Sequence, residues 1–161
     1  MTVPILVPMQ REMFSAFAAG ANNSYAHNQV LAGCMALDEA QAKAVAMVAQ
    51  LLPQGIDTPN HFFYEIRDPS KITVGYVWFA VVGNGAARVG HVYNIRINPD
   101  HQRKGYGKTA LLALESIAAE MQLPAIRLNV FGHNSAAQAL YLSLGYEVTA
   151  SSMRKPLHHD A

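Results

Sequence analysis

The chain predicts a mixed α/β domain, and three observations carry that expectation. Apolar and aromatic residues fill three strand-like runs, His61–Arg67, Ile72–Val82 and Arg88–Asn98, joined by short turns. Helical spacing of apolar residues brackets them, in Met9–Tyr25 and a segment from Asp38 to Leu52 before, and in Thr109–Met121 and Ser135–Leu144 after. The run Pro124–Val130 lies between two of those helices, so it must cross over and join the sheet in parallel. The expected sheet is therefore mostly antiparallel, with one parallel pair and flanking helices.

At 161 residues the chain reads as a single domain, 1–161, with no repeat, linker or low-complexity tract. Hydrophobic residues make up 51% and charged residues 14%, which favours a packed core over disorder. A net charge of +1 argues against nucleic acid as a partner, so any basic patch must be local. No apolar run approaches the ~18 residues of a membrane span. The start, Met1 to Pro8, lacks the basic region of a signal peptide, so a cytoplasmic location is expected. The single cysteine, Cys34, excludes an internal disulfide and reads as a small core residue.

Taken in order, Ile5–Val7 is a short edge strand that tolerates Pro4 and Pro8. The helix Met9–Tyr25 is loosened by Asn22, Asn23 and Asn28 and closed by Gly33. Asp38 and Gln41 form a capping box, and Ala42, Val45, Ala46, Ala49 and Leu52 share one face of the helix they open. Pro53-Gln54-Gly55 ends it. Asp68-Pro69-Ser70 and Gly83-Asn84-Gly85 turn the chain between the three antiparallel strands. Gly145 closes the helix after Ser135, and Tyr146–Arg154 is the last strand.

Between the third strand and the helix lies Gln102-Arg103-Lys104-Gly105-Tyr106-Gly107-Lys108-Thr109. Amides at a helix start are unpaired and sit at the positive end of its dipole, which suits an anion. Arg103, Lys104 and Lys108 add cations, while Gly105 and Gly107 remove side chains where a ligand must approach. A nucleotide-triphosphate loop would need glycine where Gln102 stands. A dinucleotide fold would need an acidic residue after the next strand, where Phe131-Gly132-His133-Asn134 stands.

The loop instead meets the pattern Q/R-x-x-G-x-G/A. A second block, Asn134-x-x-Ala137-x-x-Leu140-Tyr141-x-x-Leu144-Gly145-Tyr146, follows about 30 residues on. Together they resemble the GNAT superfamily of N-acetyltransferases in order, spacing and surroundings. The resemblance implies the acyl-CoA N-acyltransferase fold, acetyl-CoA as cosubstrate, and a small-molecule or peptide amine as acceptor. It implies that the two parallel strands splay, with the pantetheine arm beside the backbone of Ile95, Arg96 and Ile97. The pyrophosphate would lie on the amides of Gln102, Arg103, Lys104, Gly105, Tyr106, Gly107, Lys108 and Thr109, with Asn134, Ala137 and Tyr141 on the opposite wall. A homodimer is compatible with it.

Direct attack by an amine of pKa about 10.4 leaves roughly one molecule in a thousand neutral near pH 7.4, a cost of about 4 kcal/mol. A base or a water chain is therefore expected. His91 stands where some members carry a glutamate, and its expected alternation places it with Tyr93 and Ile95 on one face. Glu65 is the other candidate, and each also reads as a residue of the strand surface. Asn94 and Arg96 stand where many relatives are acidic. That departure supports a non-enzyme alternative, a GNAT-fold module that binds acyl-CoA without turnover. By resemblance Tyr141 would serve the departing thiolate as acid or hydrogen-bond donor. The acceptor side would fall on Asn22–Gly33, with Tyr25, His27 and Asn28, and on Tyr146–Met153. The remaining histidines show no metal-ligand spacing, and His158-His159 reads as a tail.

Overall fold

The computed structural model describes residues 5–33 and 35–157. Cys34 and His158-His159, given roles above, lie outside them. Five strands form one sheet in chain order: β1 (Leu6–Pro8), β2 (His61–Arg67), β3 (Thr73–Val82), β4 (Val89–Ile97) and β5 (Ile126–Leu128). Neighbours from β1 to β4 are antiparallel, and β5 joins β4 in parallel. Helices α1 (Phe14–Leu31) and α2 (Leu37–Leu51) cover one face, and α3 (Tyr106–Glu120) covers the other. Helix α4 (Ser135–Ser143) follows β5.

The two faces have different chemistry because β3 alternates. Val77 and Phe79 point towards α3 and pack with Ile66, Ala110, Leu114 and Ala118. Tyr76 and Trp78 point the other way, into an aromatic cluster with Phe17 of α1 and Phe63 of β2. Phe63 stacks on Trp78 at 5.9 Å and meets Phe17 edge-on at 5.6 Å.

One irregularity governs everything downstream. Trp78 pairs with Asn94 but Phe79 pairs with Val92, so Tyr93 is an extra residue in β4. Such a bulge reverses the phase of the strand. His91 and Tyr93 lie on the α1/α2 side, with their rings 4.5 Å apart, whereas Ile95 and Ile97 pack on the α3 side. The expected alternation of His91, Tyr93 and Ile95 on one face is corrected here.

Other expectations also change. Helix α1 runs on through Asn22, Asn23 and Asn28 to Leu31, and Gly33 turns it off at φ 73°. Asparagine weakens a helix by only a few tenths of a kcal/mol, and burial of Ala21 and Ala26 outweighs that. The expected acceptor loop Asn22–Gly33 is therefore mostly helix. Helix α2 starts with Ala36 as N-cap, so Asp38 sits in its first turn and makes no capping box. Its buried face is Ala40, Ala44 and Val48, because close contact with Ala26 of α1 needs small residues. Ala42, Val45, Ala46 and Ala49 face out, while Leu52 is buried. Helix α3 starts at Tyr106, three residues earlier than expected.

Tyr146–Arg154 forms no strand. The β5 edge offers three residues, too short a template for a nine-residue strand. Val148 and Met153 stay 72% and 93% exposed, so no burial offsets the entropy of ordering them.

Gly75 shows how tightly β3 and β4 approach. A Cβ there would collide with the backbone carbonyl of Arg96. Gly75→Ala is expected to destabilise the fold by about 3 kcal/mol in urea denaturation. A change below about 0.5 kcal/mol would mean that the two strands part freely.

Candidate active site

The site begins where β4 and β5 separate. Gly90, His91 and Val92 pair with Ile126, Arg127 and Leu128, and pairing stops there. Beyond Val92 the bulge and the end of pairing coincide, so the stretch Ile95–Ile97 has no strand partner on its β5 side among the described residues. The expected splay is thus present in the fold.

At the far end of β4 the chain makes a short turn over Pro99–His101 and enters α3. Arg103 and Gly105 both adopt left-handed backbone, at φ 64° and 84°. The amides of residues 103–108 donate to no backbone carbonyl among the described residues. Gln102 and Thr109 behave differently. The Gln102 amide donates to the Pro99 carbonyl at 3.4 Å, and the Thr109 amide donates to Gly105 at 3.1 Å. Their side chains are also engaged, Gln102 Nε2 with the Ile97 carbonyl at 3.0 Å and Thr109 Oγ1 with the Gly105 carbonyl at 2.9 Å. Both residues shape the loop, and the open anion donors are Arg103, Lys104, Gly105, Tyr106, Gly107 and Lys108.

All of those donors but Lys104 border a cavity of about 250 Å³ lined also by Ile97, His101, Gln102 and Leu140. No neighbour comes within 4 Å of a Cβ built on Gly105. Arg103, Lys104 and Lys108 are exposed and make no ion pair among the described residues. Six open amides, three free cations and an apolar throat fit a molecule with a phosphate end and an uncharged arm.

The opposite wall is α4. Asn134 caps it, its side-chain oxygen accepting from the Ala137 amide at 3.2 Å. Leu140 reaches the cavity. Tyr141, the next residue, is half-buried with its ring 5.8 Å from Tyr146. Its hydroxyl makes no hydrogen bond among the described residues, and burial raises its pKa. Tyr146 is pushed up to about 12 by burial, then by Glu115 and Tyr141.

The α1/α2 side carries the remaining candidates. His91 is half-buried, and its Nδ1 is enclosed without a partner. Glu65 is buried and fully engaged. Thr73 Oγ1 donates to its Oε1 at 2.8 Å, and Arg67 lies 3.5 Å from its Oε2. Tyr25 packs against the Ala26, Ala40 and Ala44 cluster between α1 and α2. Asn28 reaches across to the β5–α4 loop, its Oδ1 2.9 Å from His133 Nε2. The structure thus joins Asn28 to the splayed region and sets Tyr25 apart, in the helix interface.

Sequence reasoning passed over His61, Trp78 and Tyr93. Trp78 Nε1 donates to His61 Nδ1 at 2.9 Å, and Tyr93 stacks on Trp78 at 4.7 Å and on His61 at 5.8 Å. Since Nδ1 of His61 is an acceptor, Nε2 carries its proton when the ring is neutral. One signal was available. Val92 and Ile95 are spaced by three in a strand whose other core residues are spaced by two, which is the mark of an extra residue.

Burial holds His61 and His91 below the ordinary histidine value of 6.5, and Arg127 adds to the effect at His91. The unfolded chain then protonates before the folded one as pH falls. Stability from these groups is complete above about pH 6.5 and is lost as pH drops through it towards the depressed folded-state values. Urea midpoints are expected to fall between pH 7.5 and pH 5, and less steeply in His91→Gln. An equal slope in that variant would remove His91 from the effect.

The same fold recurs in known proteins. The model of the acetyltransferase (GNAT) family matches residues 38–146, which include the bulge, the cradle and α4. The uncharacterized N-acetyltransferase YycN of Bacillus subtilis is 32% identical over 153 residues, covering 95% of this chain and 98% of YycN. A second Bacillus subtilis protein, the uncharacterized N-acetyltransferase YdgE, is 28% identical, covering 94% of this chain and 97% of YdgE. The crystal structure of YycN superposes with a TM-score of 0.90 at 31% identity, covering 96% of this chain and 98% of that one.

Proposed function

The chain belongs to the GNAT family of acetyltransferases, and on that premise we propose that it transfers the acetyl group of acetyl-CoA to a primary amine of a small molecule or peptide, with both bound together. The observation that carries this reading is the row of open amides at residues 103–108 beside the splay of β4 and β5. Those amides, with Arg103, Lys104 and Lys108, hold the pyrophosphate, and the free edge of Ile95–Ile97 lies along the pantetheine arm. When bound, acetyl-CoA supplies a thioester carbonyl whose C–S bond breaks as the acceptor nitrogen forms the new C–N bond.

The residues of the chain then have three tasks. Unpaired backbone at the bulge provides a fixed dipole for the charge that develops on the carbonyl oxygen. The proton leaving the nitrogen goes to His91, directly or through water. Its ring stays neutral near pH 7, whereas both oxygens of Glu65 are occupied. The Tyr141 hydroxyl, with no hydrogen-bond partner among the described residues, donates a hydrogen bond to the departing sulfur, which leaves as the thiolate and is protonated by solvent, to which His91 returns the proton it took.

Calorimetric titration with acetyl-CoA tests the cradle, with Mg-ATP and NAD as controls, and thiol release with a panel of amines tests turnover. No binding of acetyl-CoA by folded protein would overturn the cradle. Binding without release from any amine would favour an acyl-CoA-binding module. His91→Ala is expected to lower kcat/KM by about 100-fold. Glu65→Gln is expected to lower stability by about 1–3 kcal/mol and to leave kcat within a few-fold of wild type. The reverse pattern would exchange the two roles.

A further inference from the structure

The bulge at Tyr93 sets the direction of the Arg96 side chain. The backbone carbonyl of Arg96 faces Gly75 of β3. Its side chain faces α1, because Arg96 pairs with Tyr76, which packs in the aromatic cluster on that side. The guanidinium lies over the middle of α1, with Nη1 4.0 Å from the place a Cβ of Gly20 would occupy. Glycine there leaves it uncovered. Arg96 is exposed and makes no ion pair or hydrogen bond among the described residues.

The surrounding charge is one-sided. The stretches 13–33, 89–99 and 121–146, which contain α1, β4, β5 and α4, hold no Asp or Glu. Their only Lys or Arg residues are Arg96 and Arg127. Glu65 lies in the same cross-strand row, beyond Tyr76, but its carboxylate is taken by Thr73 and Arg67. These stretches offer no carboxylate to an acceptor carrying several positive charges, the flanking acids being Glu12, Asp100, Glu120 and Glu147. An acceptor with a carboxylate finds a free planar fork of donors, the group best matched to it.

Distance narrows the class. Arg96 is two residues, about 6.6 Å of strand, from Asn94 at the bulge. A short amino carboxylate can therefore bridge the bulge and Arg96. Resting on the acetyltransferase reading above, we infer that the acceptor is an amino acid or a similarly small amino carboxylate, and that Arg96 selects it by its carboxylate. A long peptide holds its terminal carboxylate far from its amino terminus, and a polyamine has none.

The test is thiol release from acetyl-CoA by the full chain. Free amino acids are compared with their C-terminal amides, with diamines as a third set. Amino acids are expected to exceed their amides by about 10-fold or more in kcat/KM, the range for a hydrogen-bonded charge pair. Arg96→Gln is expected to bring that ratio close to one, and Arg96→Lys, which keeps charge but loses the fork, to an intermediate value. Because the readout is a ratio within each variant, a general loss of activity does not imitate it. Equal use of acids and amides by the wild type, or an unchanged ratio in Arg96→Gln, overturns this inference and leaves the acetyltransferase reading standing. Thiol release from no amine at all overturns both.

Discussion

Tyr141→Phe is expected to lower kcat by about 100-fold, the loss typical of one donor aimed at developing charge, while acetyl-CoA affinity stays within a few-fold. The expectation rests on what the hydroxyl lacks. The ring is held in α4 against Tyr146, so phenylalanine fills the same space, but the hydroxyl has no partner among the described residues. Removing it therefore breaks no hydrogen bond of the fold. A phenol near 10 and a thiol near 8.5 already make full proton transfer uphill by about 2 kcal/mol, and burial raises Tyr141 further. Its contribution is thus a hydrogen bond to the sulfur as charge appears there. Initial rates and calorimetric affinity, measured together, separate that role from packing. An unchanged kcat would remove Tyr141 from the chemistry, and equal losses of rate and affinity would make it a wall of the donor site.

Much of this site is legible in the residues, for local reasons. Gly105 at φ 84° and the amides after it follow from a glycine loop entering a helix, so the cradle can be read from a dozen residues. Strands β2, β3 and β4 are legible because their runs are bounded by Asp68-Pro69-Ser70 and Gly83-Asn84-Gly85. What escaped depends on side-chain direction and on partners in other elements. The side chain of Gln102, matched to a ligand motif, turns back to the Ile97 carbonyl. Helix α1 passes through its asparagines because Ala26 meets Ala40 and Ala44 on α2. The phase of β4 changes at Tyr93, which moves Ile95 to one face and gives the Arg96 side chain to the other. An assumption of strict alternation after His91 inverts every later residue of the strand, the error with the largest consequence for the acceptor side.

Gly107→Ala is expected to divide stability from binding. Gly107 lies in the first turn of α3, and a Cβ there would meet Leu140 at 3.6 Å and Ile97 at 3.9 Å, ordinary contact distances. Its backbone is not among the left-handed positions of the chain, so alanine fits without strain. Alanine in a helix is favoured over glycine by about 0.5–1 kcal/mol, and the variant should melt no lower than wild type. Yet Gly107, Leu140 and Ile97 all line the 250 Å³ cavity, so the new methyl group occupies space next to the open amides. Acetyl-CoA affinity is expected to fall about 10-fold, equivalent to about 1.4 kcal/mol. Thermal unfolding and calorimetric titration of the same sample check both signs. A variant that is more stable and binds as tightly as wild type would move the ligand away from the first turn of α3. Loss of both would show that Leu140 and Ile97 have no room to give, making this glycine a packing residue.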